Sequence, residues 1–458
     1  MLIFPRPGSE PLSSLPALHE ALPTPQAFHL QNGVPVVSVR QEQAPVVCLD
    51  FWCRAGSASE QAAESGLAHF LEHMVFKGSE TLAPGAFDQR IEALGGSSNA
   101  ATGFDDVHYH VLIPPAAAAE ALDLLLDLVL HPRLEASDFD MERQVVLEEL
   151  AQSEDQPEDV AFQRLLALAC PGHAYGLAIL GEREALTRHN PERMAAFHRR
   201  GYRPSACSLA VAGALDGLDL EAMVAGSALA DLADPAGLSA SAGPGEPPAT
   251  ATPATPSAPA SAPSAAPAPV LALQPGRHTL RLPRLEAARL LMVWQLPAAA
   301  DLEATAGADL LTTLLAEGRR SRLVQRLRED LRLVESVDLD LNVLEAGSLA
   351  LLEAVCEPDQ AEAVEAEIGK VWQELSVTPP STSEWERAQR LVANGYRFGL
   401  EAASPVAGLI GNQSLWGRLE PLQEPLERLR LWTPQRLHAE ILPLFAPERA
   451  CRVLALPA

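Results

Sequence analysis

The sequence His69-Phe-Leu-Glu-His73 lies at the centre of the stretch Gly66-Leu-Ala-His-Phe-Leu-Glu-His-Met-Val-Phe-Lys-Gly78. On a helix over about residues 64–77, His69 and His73 are four residues apart and project from one face, so both imidazoles can bind one metal ion. Glu72 precedes the second histidine and can take a proton from a water molecule without being a ligand. This HxxEH order predicts a zinc site, although an amphipathic helix with two ordinary histidines gives the same pattern.

A hydrolytic zinc ion usually has three protein ligands, so a third ligand must come from elsewhere. Ser137 is predicted to cap a helix that runs to about Gln152 and carries Glu142, Glu148 and Glu149. Glu142 and Glu149 are seven residues apart and point the same way, whereas Glu148 is rotated by about 100° from Glu149. A row of charges on a helix is also typical of a face exposed to water, and the residues alone leave both interpretations open.

Strand patterns surround the metal-binding stretch. Residues 33–40 and 45–53 contain β-branched and aromatic residues on either side of a polar turn, which indicates antiparallel strands. Residues 98–102 and 106–113 predict two more strands. His108 and His110 share one face of the last strand, where they are able to bind a metal, but an ordinary pair of surface histidines is the favoured interpretation.

The chain divides into two halves that repeat one plan. Residues 233–272 are dominated by Ala, Pro, Ser and Thr and predict a linker between domains at 1–232 and 273–458. In the second half, a strand over 347–358 and the helix after it follow the order of residues 107–130, displaced by about 240 positions. The second half has no HxxEH, which fits duplication followed by loss of the metal site.

Composition excludes some functions. The net charge is −26, with 60 acidic against 34 basic residues, so nucleic-acid binding is not expected. Six scattered cysteines without a CxxC pair indicate reduced, mostly buried thiols. No apolar run reaches the length of a membrane span and no signal peptide is recognised, so we expect a cytoplasmic protein that does not enter a membrane.

Several motifs together resemble the pitrilysin/insulinase family of zinc metallopeptidases, in the size class of the mitochondrial processing peptidase subunits. They are the stretch 66–78, the sequences Gly95-Gly-Ser-Ser-Asn-Ala-Ala-Thr102 and Glu142-Arg-Gln-Val-Val-Leu-Glu-Glu149, and the short motifs at 173–181 and 202–204. The resemblance implies an α+β fold. It consists of two homologous domains, each a mostly antiparallel sheet packed with helices, which together form half of a clamshell.

The resemblance also implies roles for individual residues. Glu149 takes the place of the family's third zinc ligand, with Glu148 as the alternative if the register is shifted by one. Glu142 takes the place of an accessory acid that orients a histidine or adds to the negative charge of the site. Substrate would lie as an extra strand beside residues 98–103, where Asn99 and Ala100 would contact its backbone, although Asn99 also suits a turn after Gly-Gly.

One position departs from the family pattern. The second half of the family usually carries an arginine and, seven residues later, a tyrosine that together hold the substrate and stabilise the oxyanion. Arg328 matches the arginine, but Glu335 occupies the tyrosine position. A carboxylate cannot donate a hydrogen bond to an oxyanion, and losing such a donor typically costs about a hundredfold or more in rate.

These implications lead to one principal hypothesis. The chain is expected to be a zinc endopeptidase that hydrolyses short or unfolded peptides in a chamber formed with a second subunit. The expected assembly is a heterodimer with a zinc-lacking relative, and a homodimer is the alternative. A non-catalytic scaffold subunit and a zinc-storage protein are competing functions, and the latter would not require Glu72.

Overall fold

The computed structural model describes residues 22–234 and 271–458. The predicted linker therefore lies almost entirely outside the described residues, and its boundaries stay a prediction. Within the described ranges, the strands form two separate sheets, one in each half of the chain.

The first sheet has six strands in the order β1-β2-β6-β3-β5-β4. All neighbouring pairs are antiparallel except β2 and β6. The strands are β1 (Gln26–His29), β2 (Pro35–Arg40), β3 (Val47–Cys53), β4 (Ser97–Thr102), β5 (Val107–Ile113) and β6 (Cys207–Gly213).

The predicted strands at 33–40 and 45–53 are therefore both present, but they do not pair with each other. β6 lies between them, parallel to β2 and antiparallel to β3. Every residue of β6 is buried, so this strand needs a hydrogen-bonding partner on both edges. Only a central position supplies two partners.

Helices cover one face of this sheet. Phe51 and Tyr109 of the sheet share a core with Phe70, Leu125 and Phe139 of the helices. The helices of the first half are α1 (Leu67–Val75), α2 (Ala86–Ala93), α3 (Ala118–Leu130), α4 (Ala136–Asp155), α5 (Pro157–Ala169), α6 (Arg183–Arg188), α7 (Pro191–Gly201), α8 (Leu220–Ala225) and α9 (Ala228–Asp231). Of these, α5 does not belong to this core.

The start of α4 differs from the prediction. The residue before the helix is Glu135, whose side chain makes no cap hydrogen bond, and Ser137 lies inside the first turn. The Phe139 N–H already donates to the Glu135 carbonyl at 2.9 Å, so the helical hydrogen bonds begin before Ser137 is able to act as a cap.

The second sheet has five strands in the order β7-β11-β8-β10-β9, with only β7 and β11 parallel. This order repeats β2-β6-β3-β5-β4 of the first sheet. The elements are β7 (Gly276–Leu282), β8 (Ala288–Leu296), α10 (Leu302–Ala316), a π-helix (Val324–Asp330), β9 (Ser336–Asn342), β10 (Ser348–Cys356), α11 (Ala361–Val377), α12 (Thr382–Gly399), α13 (Ala403–Leu415), α14 (Glu424–Arg430), α15 (Pro434–Glu440) and β11 (Cys451–Pro457). The predicted fold of two related, mostly antiparallel α+β units is confirmed.

Each sheet is also covered by a helix from the other half. Val406 and Ile410 of α13 pack against Val39 and Ala210 of the first sheet. In return, α5 packs against β7, β8 and β11 of the second sheet, with a shared cluster that includes Leu165. The two halves are therefore joined by a reciprocal exchange of helices.

Two further expectations from the sequence concern the cysteines and membrane-spanning segments. All six cysteines are free and buried, as expected for reduced thiols. In residues 22–234 and 271–458, no helix combines the length and the apolar character that crossing a bilayer requires.

The contact between α13 and the first sheet leads to a stability prediction. A Cβ on Gly411 would lie 2.5 Å from Trp52 Cδ1 and closer still to Trp52 Nε1, whereas a Cβ on Gly408 would lie 3.9 Å from its nearest neighbour, Asp50 Oδ2. We expect Gly411→Ala to lower the free energy of unfolding by about 1–3 kcal/mol through overpacking. Gly408→Ala, in the same helix, should leave it unchanged or raise it by up to about 1 kcal/mol. Denaturant unfolding measures both, and equal effects would contradict this packing.

Candidate metal centre

The start of α1 is fixed by backbone contacts around Gly66. This residue has φ 79°, in the left-handed region, and a Cβ there would lie 2.6 Å from the Leu180 carbonyl oxygen. The Glu60 carboxylate accepts the N–H groups of Gly66 at 3.0 Å and Ala68 at 2.8 Å. Burial, opposed by these hydrogen bonds, raises the pKa of Glu60 to about 7. The helix therefore begins at Leu67, three residues later than predicted.

Helix α1 packs its apolar face against α4. Phe70, Leu71 and Met74 are fully buried, and the Phe70 ring lies 4.5 Å from the ring of Phe139 on α4, centroid to centroid. The adjacent side of α1 carries His69 and His73, whose side chains are 11% and 23% exposed. This packing brings both histidines alongside the second half of α4.

The two imidazoles converge on Glu149. Its Oε2 lies 3.7 Å from His69 Nε2 and 3.5 Å from His73 Nε2, beyond the range of a normal hydrogen bond. Ligand atoms at tetrahedral zinc bond lengths are separated by about 3.4 Å, so two imidazoles and a carboxylate at this spacing fit a zinc ion. One ligand atom of each residue lies within 4.8 Å of the others. Glu148 is exposed and belongs to no such group among the described residues.

Electrostatics favour the metal-binding form of His69. Burial and, to a smaller degree, the neighbouring His73 lower the pKa of His69 to about 4. The ring is therefore uncharged at neutral pH, which is the form that coordinates a metal.

Glu142 orients the second histidine. His73 Nδ1–H donates to Glu142 Oε1 at 2.9 Å, and the ammonium group of Lys77 lies 2.5 Å from Glu142 Oε2. Burial opposes ionisation of this carboxyl, but the hydrogen bonds from His73 and Lys77 outweigh it, so the pKa of Glu142 is lowered. Because the Nδ1 proton of His73 is engaged, its Nε2 lone pair is left to face Glu149.

Glu72 is held by a residue that sequence reasoning missed. The Thr102 hydroxyl donates to Glu72 Oε2 at 2.5 Å, from the last position of β4. Thr102 ends the Gly95–Thr102 motif, but nothing in the motif itself indicates a contact with a residue 30 positions earlier. The hydroxyl fixes the carboxylate at the end of the sheet's edge strand.

The predicted substrate-binding residues occupy different places. Asn99 and Ala100 lie on β4, which pairs with β5 on one side and ends the sheet on the other. The Ala100 N–H donates to the Asn99 side-chain oxygen at 2.9 Å, while the Ala100 side chain packs against the core below the helices. Arg328 lies on the π-helix of the second half, where its guanidinium pairs with Glu329 at 2.9 Å. Glu335 is exposed just before β9.

Comparison with known families identifies two matching regions. The pattern of the insulinase family (peptidase family M16) matches residues 35–183. The pattern described as the peptidase M16 inactive domain matches residues 189–392. Together these two matches extend over most of the chain. The first contains the HxxEH, and the second begins within the first half and continues into the half without it.

Individual relatives agree with this result. An uncharacterized zinc protease from Mycobacterium leprae is 27% identical over 415 residues, covering 90% of this chain and 87% of the relative. The mitochondrial-processing peptidase subunit beta of Blastocladiella emersonii is 30% identical over 208 residues, covering 45% of each chain.

Solved structures support the fold. A protease from Helicobacter pylori has a TM-score of 0.82 at 23% identity, with 95% of this chain and 100% of that chain covered. A structure described as the peptidase M16 inactive domain from Pseudomonas fluorescens has a TM-score of 0.81 at 19% identity, with 95% and 98% covered.

The geometry distinguishes the two candidate third ligands. We expect Glu149→Ala to abolish zinc binding at this centre and so to lower the zinc content by about one ion per chain, because it removes the carboxylate on which both imidazoles converge. Glu148→Ala should retain zinc, because Glu148 lies on the exposed side of the same helix turn. Zinc content after gel filtration measures both variants. Loss of zinc in Glu148→Ala with retention in Glu149→Ala would contradict the assignment.

The His73–Glu142 hydrogen bond leads to a second prediction. Glu142→Ala should weaken zinc affinity by about 10–100-fold, because groups that orient a metal-binding histidine typically contribute that much. Met141→Ala, at the neighbouring position with 63% of the side chain exposed, is the matched control and should bind zinc normally. Competition with a chromophoric chelator gives both affinities. An unchanged affinity in Glu142→Ala would exclude an orienting role.

Proposed function

Because this chain belongs to the insulinase family of peptidases, peptidase family M16, we propose that it is a zinc-dependent endopeptidase acting on short or unfolded peptides. The observation that carries the proposal is the convergence of His69, His73 and Glu149 beside a glutamate that the edge strand holds in place. A zinc-storage site would need the three ligands but would not need the contact between Thr102 and Glu72.

The open edge of the first sheet suits an extended peptide. Among the described residues β4 has a strand partner on one side only, so its other edge offers backbone groups for β-augmentation. The Asn99 side chain occupies the Ala100 N–H in this structure. A substrate strand that takes this N–H would displace the Asn99 oxygen, and hydrogen bonds to backbone groups give a loose sequence preference.

The chain's own residues divide the work of hydrolysis. A zinc ion held by His69, His73 and Glu149 would supply Lewis acidity, polarising a peptide carbonyl and lowering the pKa of water. Glu72 accepts the proton that the attacking water loses and donates it to the leaving nitrogen. Thr102 keeps the Glu72 carboxylate at the end of the substrate strand, and Glu142 keeps the His73 ring in its ligand orientation.

In the second half, Glu335 stands where the family resemblance implies a hydrogen-bond donor to the oxyanion. At the position where relatives place an oxyanion-stabilising tyrosine, Glu335 offers an exposed carboxylate, which would repel an oxyanion. Arg328 is engaged by Glu329 within its own helix. These features favour a heterodimer in which a relative without the zinc site supplies the missing donors and closes the chamber. A homodimer is the alternative.

Glu72→Gln tests the catalytic role. This variant should hydrolyse a mixed quenched-fluorescent peptide library at least about 100-fold more slowly than wild type, because the amide cannot accept the proton. It should keep its zinc, because Glu72 is not a ligand. Glu92→Gln, at an exposed position of α2, is the control and should be fully active.

The same assay separates the assembly hypotheses. Hydrolysis by wild-type chain alone, absent in Glu72→Gln, would support the peptidase and exclude the requirement for a heterologous partner. If the chain is inactive alone but active with a co-encoded relative that carries the tyrosine, the heterodimer is supported. Inactivity of wild type with that relative, at full zinc occupancy, would overturn the proposed peptidase function.

A further inference from the structure

A second group of metal-binding side chains lies on the opposite face of the first sheet. Asp50 of β3 pairs directly with His110 of β5, and His108, two residues away, shares the same face. One potential ligand atom from each of these three residues lies within 4.8 Å of the others. Their neighbours Leu49, Phe51 and Tyr109 point into the core with α1, so this group faces the side on which α13 packs.

Surrounding contacts hold the group in place. Asp50 is 2% exposed, and its Oδ1 accepts a hydrogen bond from His108 Nδ1 at 2.9 Å. The Trp52 ring stacks on His108 with 4.2 Å between ring centroids and 16° between planes. Gly408 of α13 lies above Asp50, where a Cβ would be 3.9 Å from Oδ2. The carboxylate is thus enclosed between the sheet and a helix of the second half.

One atom of the group has no partner. The Nδ1 atom of His110 is buried and makes no hydrogen bond within the described residues. Buried polar atoms are nearly always paired, so this ring nitrogen, beside a buried carboxylate and a second imidazole, is available to bind a ligand. The His108 and His110 rings lie 5.5 Å apart and nearly parallel, at 17°, so both edges are presented on the same side of the strand.

We propose that Asp50, His108 and His110 form a second transition-metal site, distinct from the centre at His69 and His73. Because the three ligand atoms lie within 4.8 Å of one another, their common centre is at most about 2.8 Å from each, and shifts of under about 1 Å reach zinc bond lengths. Two imidazoles and one carboxylate suit zinc and neighbouring divalent metals. A bound ion would replace the hydrogen bond between Asp50 and His108, and the neutral His108 ring would keep its one proton on the nitrogen that faces away from the ion.

Such an ion would connect the two strands next to the substrate edge. β5 lies between β3 and β4, and His110 is directly opposite Asn99 of β4. An ion that joins β3 to β5 would therefore stabilise the position of β5, the strand to which β4 is hydrogen-bonded. This role is structural and does not depend on the proposed peptidase activity.

Metal content tests the site. Full-length apoprotein is equilibrated with zinc, separated from loosely bound metal by gel filtration and analysed by mass spectrometry. Wild type should hold about two ions per chain and His110→Ala about one. A His73→Ala/Glu149→Ala variant, which lacks the first centre, should also hold about one, and adding His110→Ala to it should remove the remaining ion.

Controls make each outcome decisive. His131→Ala alters a histidine that is 49% exposed and belongs to neither group, and it should retain about two ions. If His110→Ala does not fold by circular dichroism, His110→Gln replaces it, because the amide preserves size and polarity. A zinc-induced rise in melting temperature should persist in His73→Ala/Glu149→Ala and disappear when His110 is also changed. One ion in wild type, unaffected by either His110 variant, would overturn the proposal.

Discussion

The packing of α1 against α4 is the constraint on which the candidate metal centre depends. The Phe70 and Phe139 rings fix the distance between the two helices, and His69 and His73 then face Glu149 from the neighbouring turn. The His73–Glu142 hydrogen bond crosses the same interface. A slide of α4 by one turn, about 5.4 Å, would separate all of these groups at once. The apolar contact and the candidate metal ligands therefore lie on the same pair of helices, so the packing of the core determines the geometry of the site.

Sequence patterns predicted what depends on local spacing. The HxxEH helix and the repeated strand and helix order of the two halves follow from periodicity, whereas the choice of Glu149 over Glu148 came from the family resemblance. The position of β6 between β2 and β3 could not be predicted from local patterns, because its parallel pairing with β2 joins residues more than 150 positions apart. The Thr102 hydroxyl on Glu72 was missed because it comes from a strand 30 positions later, and the Glu60 carboxylate below α1 was missed although it is only 6 positions from Gly66. The helix start at Ser137 was wrong, since α4 begins at Ala136 and Ser137 lies inside its first turn.

The second half shows how the same fold loses metal chemistry. At the position of α1 it has α10, in which every residue from Gly307 to Leu315 is buried except Asp309, which is half-buried. Burial raises the pKa of Asp309 to about 6. α1, in contrast, buries one face and leaves the other for His69 and His73. A helix packed on nearly every side stabilises the unit but leaves no surface to which a metal or a substrate has access. The difference between the halves therefore lies in how many neighbours each helix has.

The reciprocal covering of the two sheets by α5 and α13 has a consequence for how the chain arose. Equivalent helices exchanged between equivalent sheets are the arrangement of a domain-swapped dimer. A single half standing alone would leave one sheet face exposed to water, with Val39 and Ala210 uncovered. The ancestral half-length protein would thus have been stable only as a pair of identical copies. In the single chain, one half needs no metal ligands of its own to cover the sheet of the other half.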